Sequence, residues 1–470
     1  MIVHRNRLRG LAQANETSDP AVEREEDEAL GRTGAGVWSR PIGWKPMRGL
    51  VLGILATTLV VVVAAGSAAG FQASPAPTTP RMARTMPEIE TAIVTALQAA
   101  NLTDRLIWIA ADTNGHMTIA WLVLTYPPDL VDPVPLLQER AWELVRTTFA
   151  AVPLLDEIHL TGLPRGPSPF GANRHLVTFS AAVSHAEFLA AERTSSGVPF
   201  SRFPRVWYHP RLLQPERTRG EDSPPQPVLP TGHIAPERSG AFAGSREART
   251  RELSHQIAGL AYGMIVDGKF YHGDPSQRAV ALTFDDGPFP IYTSLLLDTL
   301  DRSHLKATLF LVGEDTEHYP YFAQAIVRAG HEIANHSNHH PNLTRLSVQE
   351  VEDELRSAQE VITSVTGQAP RYFRPPGGDY DDTVLRIARS LGLVTVFWTD
   401  NSGDYLNRGP RALEAKTLVN VTNGGIILFH QGVGETIRIL PQIAEALRQR
   451  GLTLTTVSGL LVTRRTPRAR

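Results

Sequence analysis

The sequence predicts an α/β protein whose C-terminal part is a distorted (β/α) barrel, preceded by a small α+β domain and a single transmembrane helix. Three observations carry this reading. From about residue 251, short apolar β runs alternate with amphipathic helical runs; residues 86–200 follow an α-β-β-α-β-β order; and Gly49 to Pro80 contain no charged residue. The 470 residues leave room for about three units at roughly 150 residues each.

Composition narrows the function. Hydrophobic residues make up 42% and charged residues 20%, enough apolar side chain for a packed core. Lys plus Arg number 46 against 48 Asp plus Glu, a formal charge of −2. Without a basic field, nucleic acid is excluded as the main partner. Cysteine is absent, which removes disulfides, thiolate metal sites, iron–sulfur clusters and cysteine nucleophiles. Any metal must be held by His, Asp or Glu.

Within the uncharged stretch, Gly49 to Phe71 is long enough to cross about 30 Å of hydrocarbon as a helix. Residues 29–48 carry Arg32, Arg40, Lys45 and Arg48 and no acid, whereas only Arg81 and Arg84 follow the segment before acids resume. The positive-inside bias therefore sets the N-terminus in the cytoplasm. A leader of 48 residues is too long for an ordinary cleaved signal. The expectation is a single-pass cell-membrane anchor at 49–71, with everything after residue 80 extracytoplasmic, and secreted if the segment is cleaved. Residues 1–48, charged and poor in aromatics, read as a disordered cytoplasmic tail.

Residues 72–86 are a Pro/Ala/Thr linker. Ile89, Ile93 and Leu97 then recur at helical spacing behind Pro87, and 105–111 and 117–126 read as strands. Asn114-Gly115 between them predicts a tight hairpin turn with both central residues at positive φ. A helix over about 135–150 aligns Leu137, Ala141, Leu144 and Val145, and two strands follow near 156–162 and 174–183. His159, His175 and His185 are scattered and read as structural or surface histidines. This α+β domain, 86–200, reads as a spacer or binding module. Residues 201–250, rich in proline and charge, read as a linker, and 251–463 as the last domain, followed by a basic tail.

That last domain has strand-like runs at 279–284, 307–312, 331–334, 372–373, 393–398 and 425–429. Helical runs lie near 291–303, 319–329, 347–366, 381–391, 410–423 and 435–450, and Ser347 with Glu350 forms a capping box. Repeated β-α units predict a parallel sheet, with site residues at the C-terminal strand ends.

Polar residues do stand at those ends. The first strand finishes in Asp285-Asp286-Gly287-Pro288. Adjacent carboxylates repel unless a cation or proton sits between them. On a regular strand they would face opposite ways, so they share one site only if the chain turns, as Gly287-Pro288 allows. Another strand ends in His336-Ser337-Asn338-His339-His340, with His336 and His340 four apart, a spacing that a helical turn or tight loop brings to one side. Two histidines and one carboxylate make a metal site with open positions. Further strand ends carry Arg374-Pro375-Pro376-Gly377-Gly378, Asp400-Asn401-Ser402-Gly403-Asp404-Tyr405 and Phe429-His430. His339 reads as a bystander and His331 as structural.

These five segments resemble, in order, the motifs of the NodB-homology polysaccharide deacetylases (carbohydrate esterase family 4), over about residues 262–460. The resemblance implies a barrel of NodB type and a metal-dependent hydrolase that removes N-acetyl groups from an N-acetylglucosamine-containing polysaccharide, either peptidoglycan or an exported polymer. It implies Asp286, His336 and His340 as metal ligands, Asp285 as general base toward the attacking water, and His430 as general acid toward the departing amine. It further implies that Arg374 holds Asp285, that Asp404 holds Arg374, and that a backbone N–H near Gly377 helps bind the oxyanion. Zinc suits this donor set, and cobalt, nickel and manganese accept the same ligands. Two positions depart from the family pattern. Gly377 stands where an aromatic residue is common, opening one wall of the cleft, and Asn401 replaces the first acid of the fourth motif, with Asp400 one position out of register. Alternatives on the same scaffold are O-deacetylation, hydrolysis of another non-peptide amide, and non-catalytic glycan binding. A two-His, one-carboxylate iron oxygenase fits the ligands alone but not the second acid, Asp285.

Overall fold

Helix α1 (Met86–Ala99) starts on Pro87 and buries Ile89, Ile93 and Leu97, the stripe the sequence marks. A computed structural model describes residues 85–104, 106–126, 133–164, 177–194, 203–213, 245–262 and 265–461. The tail expected at 1–48, the anchor expected at 49–71 and much of the 201–250 linker lie outside them. Among the described residues, no helix is long and apolar enough to cross a membrane.

After α1, β1 (Leu106–Thr113) and β2 (Thr118–Tyr126) pair antiparallel, and α2 (Pro133–Ala151) returns the chain so that β3 (Glu157–Pro164) lies parallel to β2. Next come β4 (Phe179–Ser184), α3 (His185–Thr194) and β5 (Arg205–Tyr208), which complete a sheet in the order β1-β2-β3-β4-β5. Strand β5 corrects the expected boundary: it lies within the stretch read as linker, yet pairs with β4. Four residues are too few to carry a periodic signal.

The Asn114-Gly115 turn also differs from expectation. Thr113 pairs with Thr118, leaving residues 114–117 in the loop, and of the Asn-Gly pair only Gly115 has positive φ, at 90°. Asn114 acts through its side chain, whose Oδ1 accepts the N–H groups of His116 and Met117 at 3.0 and 2.9 Å.

The barrel begins with α4 (Arg246–Tyr262), β6 (Lys269–Phe270), β7 (Ala279–Asp285), α5 (Tyr292–Arg302), β8 (Thr308–Leu311), α6 (Gly313–His318), α7 (Pro320–Arg328) and β9 (Glu332–Asn335). It continues through α8 (Val348–Thr366), β10 (Tyr372–Phe373), α9 (Asp382–Ser390), β11 (Val394–Val396), β12 (Asp400–Asn401), α10 (Pro410–Val419), β13 (Ile426–His430), α11 (Gly434–Gln449), β14 (Thr453–Thr455) and α12 (Val457–Leu460). The strands run parallel in the order β12-β13-β7-β8-β9-β10-β11-β6, with β14 also beside β7. Among the described residues no ladder joins β12 to β6, so the sheet curls without closing by hydrogen bonds. Ser347 and Glu350 form the expected capping box at the start of α8: Ser347 N–H donates to Glu350 Oε2 at 2.8 Å, and Glu350 N–H to Ser347 Oγ at 3.3 Å.

Alternation along the strands splits the barrel core. Leu282, Phe284, Ile427 and Phe429 face outward under α5 and α11, whereas Ala281, Phe310, Ala334, Val396 and Ile426 form a second cluster with Phe270. The α+β sheet splits the same way. Leu122, Leu124, Ile158, Leu160 and Phe179 pack under α1 and α2, while Ile119 joins the barrel core and Val177 and Ala182 meet Tyr319, Tyr321 and Phe322. Both faces of that sheet are thus buried, one by its own helices and one by the barrel. Arg438 pairs with Asp112 at 2.9 Å across the same seam.

Two histidines in this framework set an acid limit. Burial, helped by His209 and His339, pushes His318 down to about 4 from 6.5; burial, helped by Lys306, does the same to His331. His331 Nδ1 accepts the Ala307 N–H at 3.3 Å, which requires the neutral ring. Between pH 6.5 and about 4 the unfolded chain therefore binds protons that the folded chain refuses, so stability falls as pH drops through that window. Thermal melts across it should show Tm declining, with a shallower decline in the His318→Gln/His331→Gln double variant.

Candidate active site

The site gathers at the C-terminal ends of β7, β9, β10 and β13. Strand register brings the groups together: Asp285 on β7 lies opposite His430 on β13, and Asn335 on β9 opposite Phe373 on β10. At Asp286 the backbone turns, with φ of 67°, and Gly287 follows at 70°. A Cβ on Gly287 would stand 2.9 Å from Gln431 Oε1, so glycine meets both the φ and the close approach.

That turn separates the two carboxylates. Asp285, 4% exposed, accepts from Arg374 Nη1 at 2.6 Å through Oδ1, and its Oδ2 lies 3.8 Å from His336 Nε2. Asp286 Oδ1 lies 3.5 Å from His336 Nε2 and 3.2 Å from His340 Nε2. Burial pushes the Asp286 carboxyl up, but the His340 and His336 rings, with His430 beyond them, outweigh it and hold the group well below the usual carboxylate range.

Arg374, fully buried, is tied on every side. Its Nη1 also donates to Thr283 Oγ1 at 2.9 Å, its Nε to the Val396 carbonyl and its Nη2 to the Phe397 carbonyl, each at 3.2 Å. The guanidinium carbon sits 4.1 Å from the Phe310 ring centroid, a cation–π contact. Its own carbonyl accepts His336 Nδ1–H at 2.8 Å, which fixes the tautomer and leaves Nε2 bare toward Asp286. One residue thus orients both a carboxylate and one of the two histidines that face Asp286.

One expected role is corrected. Asp404 does not hold Arg374; its carboxylate accepts from His430 Nδ1 at 2.7 Å, the His430 N–H at 2.8 Å, Thr436 Oγ1 at 2.8 Å and the Tyr405 N–H at 3.0 Å. The reason is topological. Asp404 follows β12, which lies next to β13 at the opposite end of the sheet order from β10 and β11, so its neighbour is the residue ending β13. Tyr405 packs edge-on against the His430 ring, centroids 5.6 Å apart.

The other marked residues are accounted for. His339 donates through Nδ1 to Glu354 Oε1 at 2.6 Å and stays outside the metal cluster, as read. Nothing lies within 4 Å of where a Gly377 Cβ would stand, and its φ is 64°. Burial pushes Asp400 up to about 7, partly offset by Lys416, and its Oδ2 lacks a hydrogen-bond partner. Sequence reasoning missed Gln431, whose Nε2 donates to the Asp286 carbonyl while its N–H donates to the Asp285 carbonyl at 3.0 Å. It also missed Thr436 and Asp315, the latter raised to about 8 by burial and by the charges of Glu314 and Asp286. Only Gln431, one residue beyond a marked histidine, stood where a local signal could have found it.

Asp286, His336 and His340 bring their ligand atoms within 4.8 Å of one another. A carboxylate held ionised beside two imidazole nitrogens fits a divalent cation.

Comparison with protein families matches residues 272–396 to the polysaccharide deacetylases. A peptidoglycan-N-acetylglucosamine deacetylase of Bacillus cereus is 32% identical over 191 residues, covering 40% of this chain and 89% of the relative. A chitooligosaccharide deacetylase of a Bradyrhizobium species is 35% identical over 196 residues, 38% of this chain and 90% of the relative. The peptidoglycan-N-acetylmuramic acid deacetylase PdaC of Bacillus subtilis is 32% identical over 187 residues, 40% of this chain and 39% of the relative. The fold and these relatives define a hydrolase, with the candidate site at the C-terminal ends of the parallel strands. The chain belongs to the polysaccharide deacetylase family.

Replacing Arg374 tests how far the site and the fold share one support. Arg374→Met leaves Asp285 buried without its partner and should cost about 3–5 kcal/mol in denaturant unfolding, together with most of the hydrolytic activity.

Proposed function

We propose that this protein removes N-acetyl groups from an N-acetylglucosamine-containing polysaccharide outside the cytoplasm, using a divalent metal, with zinc the best match. The observation that carries this reading is the juxtaposition of a His-His-Asp donor cluster with a second carboxylate, Asp285, and a histidine, His430, that are register partners on adjacent strands.

Asp286, His336 and His340 would hold the metal, which supplies Lewis-acid activation of water and of the acetamide carbonyl, bringing the water's pKa to about 7. The chain's own groups do the rest. Asp285, pinned through Oδ1 by Arg374, keeps Oδ2 free of that bond and turned toward the ligand histidine His336; this oxygen takes the proton of the attacking water. The backbone N–H near Gly377 donates to the developing oxyanion, a contribution of roughly 3–4 kcal/mol in comparable acyl-transfer sites. An amide anion will not leave, so the nitrogen must be protonated. His430 delivers that proton from Nε2, while Asp404 on Nδ1 stabilises the imidazolium and fixes the ring.

The test is acetate release by the full chain from N-acetylglucosamine oligomers and from peptidoglycan. Release should stop on chelation, return with zinc, generate one primary amine per acetate, and fall by about a hundredfold or more in Asp285→Asn. Acetate from acetylated xylan without new amine would move the assignment to O-deacetylation. The proposed location rests on the uncharged Gly49–Phe71 segment and the Arg/Lys bias before it. Protease added to intact cells should then digest the catalytic domain while the chain remains in the membrane fraction; a protected, soluble chain would refute the anchor.

A further inference from the structure

The loop that carries Asp286 closes on an uncommon backbone feature. Ile291, at the end of the loop and the start of α5, has φ 65° and ψ −65°. The Tyr292 N–H donates to the Pro290 carbonyl at 2.7 Å, so Ile291 is the centre of a γ-turn of the rare positive-φ type. A β-branched residue is strained there and keeps that conformation only where its surroundings impose it. α5 has no side-chain cap of its own.

The imposing group comes from the other domain. His159, on β3, accepts the Ile291 N–H at Nδ1, 2.6 Å away. Its Nε2 donates to Glu157 Oε1, which also accepts Ser294 Oγ of α5 at 3.0 Å. Glu157 Oε2 accepts from Arg205 Nη2 at 3.0 Å, and Arg205 in turn pairs with Glu187 at 2.7 Å. His159 and Glu157 are 1% and 4% exposed, and the His159 ring lies against Phe322, centroids 4.8 Å apart. Burial lowers the His159 pKa, consistent with a neutral ring that accepts at one nitrogen and donates at the other.

We propose that His159 is a positioning residue for hydrolysis and that the α+β domain acts as a brace on the barrel's first catalytic loop. Through the Ile291 N–H it holds the chain that runs back through Pro290 and Gly287 to Asp286 and Asp285. The inference rests on the roles proposed above for those two carboxylates.

The test compares full-length wild type, His159→Phe and His159→Asn. Phe fills the same space without an acceptor; Asn restores one near the Nδ1 position. His159→Phe should lower kcat about tenfold or more, leave KM for N-acetylglucosamine oligomers unchanged, and weaken zinc affinity, measured by chelator competition without substrate. His159→Asn should regain most of both. Wild-type kcat and zinc affinity in a folded His159→Phe would overturn the proposal, as would losses that merely track the unfolded fraction in thermal melts. Should His159→Phe fail to fold, Ser294→Ala decides: a severalfold fall in kcat is expected, and wild-type kcat overturns it. Failure of the metal reading would show separately, as wild type that neither competes for zinc nor loses activity on chelation.

Discussion

Two consecutive carboxylates, Asp285 and Asp286, leave the end of β7, and their mutual repulsion must be answered by separate partners. The backbone turn at Asp286, with φ of 67°, makes this division. Asp285 is directed inward to Arg374, and Asp286 to the His336–His340 pair. The inward partner has the larger structural consequence. A guanidinium at the centre of a barrel requires acceptors on all its edges, and it finds them on β7, at the end of β11 and in the Phe397 carbonyl. The barrel is therefore organised around a charge that the site demands.

A second unit is built around His430. His430 ends β13, and Asp404, delivered by the adjacent β12, contacts both its ring and its backbone N–H, with Thr436 of α11 on the same carboxylate. The two units meet through the pairing of β7 with β13, which sets Asp285 opposite His430, and through Gln431 Nε2, which donates to the Asp286 carbonyl. A carboxylate–histidine pair set by backbone register keeps its spacing when side-chain packing elsewhere shifts, because changing it means slipping a strand.

Much of this was legible in advance. Strand ends at Asp285, His336, Arg374 and His430 stood out because a polar cluster follows an apolar run, and the helices between them have amphipathic stripes. What failed was pairing across the sheet. The order in which strands neighbour one another is not written locally, so Asp404 was assigned to Arg374 although β12 borders β13. Short strands such as β5, β6 and β12 escaped because two to four residues show no period. His159 looked like an isolated histidine, since its partner Ile291 lies in another domain and offers only a backbone N–H.

The double burial of the α+β sheet bears on how the enzyme can be handled as a reagent. A barrel prepared without residues 86–213 would expose Tyr319, Tyr321 and Phe322, which now meet Val177 and Ala182, together with the surface around Ile119. An apolar patch of that kind favours self-association. A truncated catalytic domain would thus be prone to aggregate, and low activity in such a preparation would report colloidal behaviour as much as chemistry. Exchange of the barrel with that of a relative would carry the same liability unless the docking surface travelled with it.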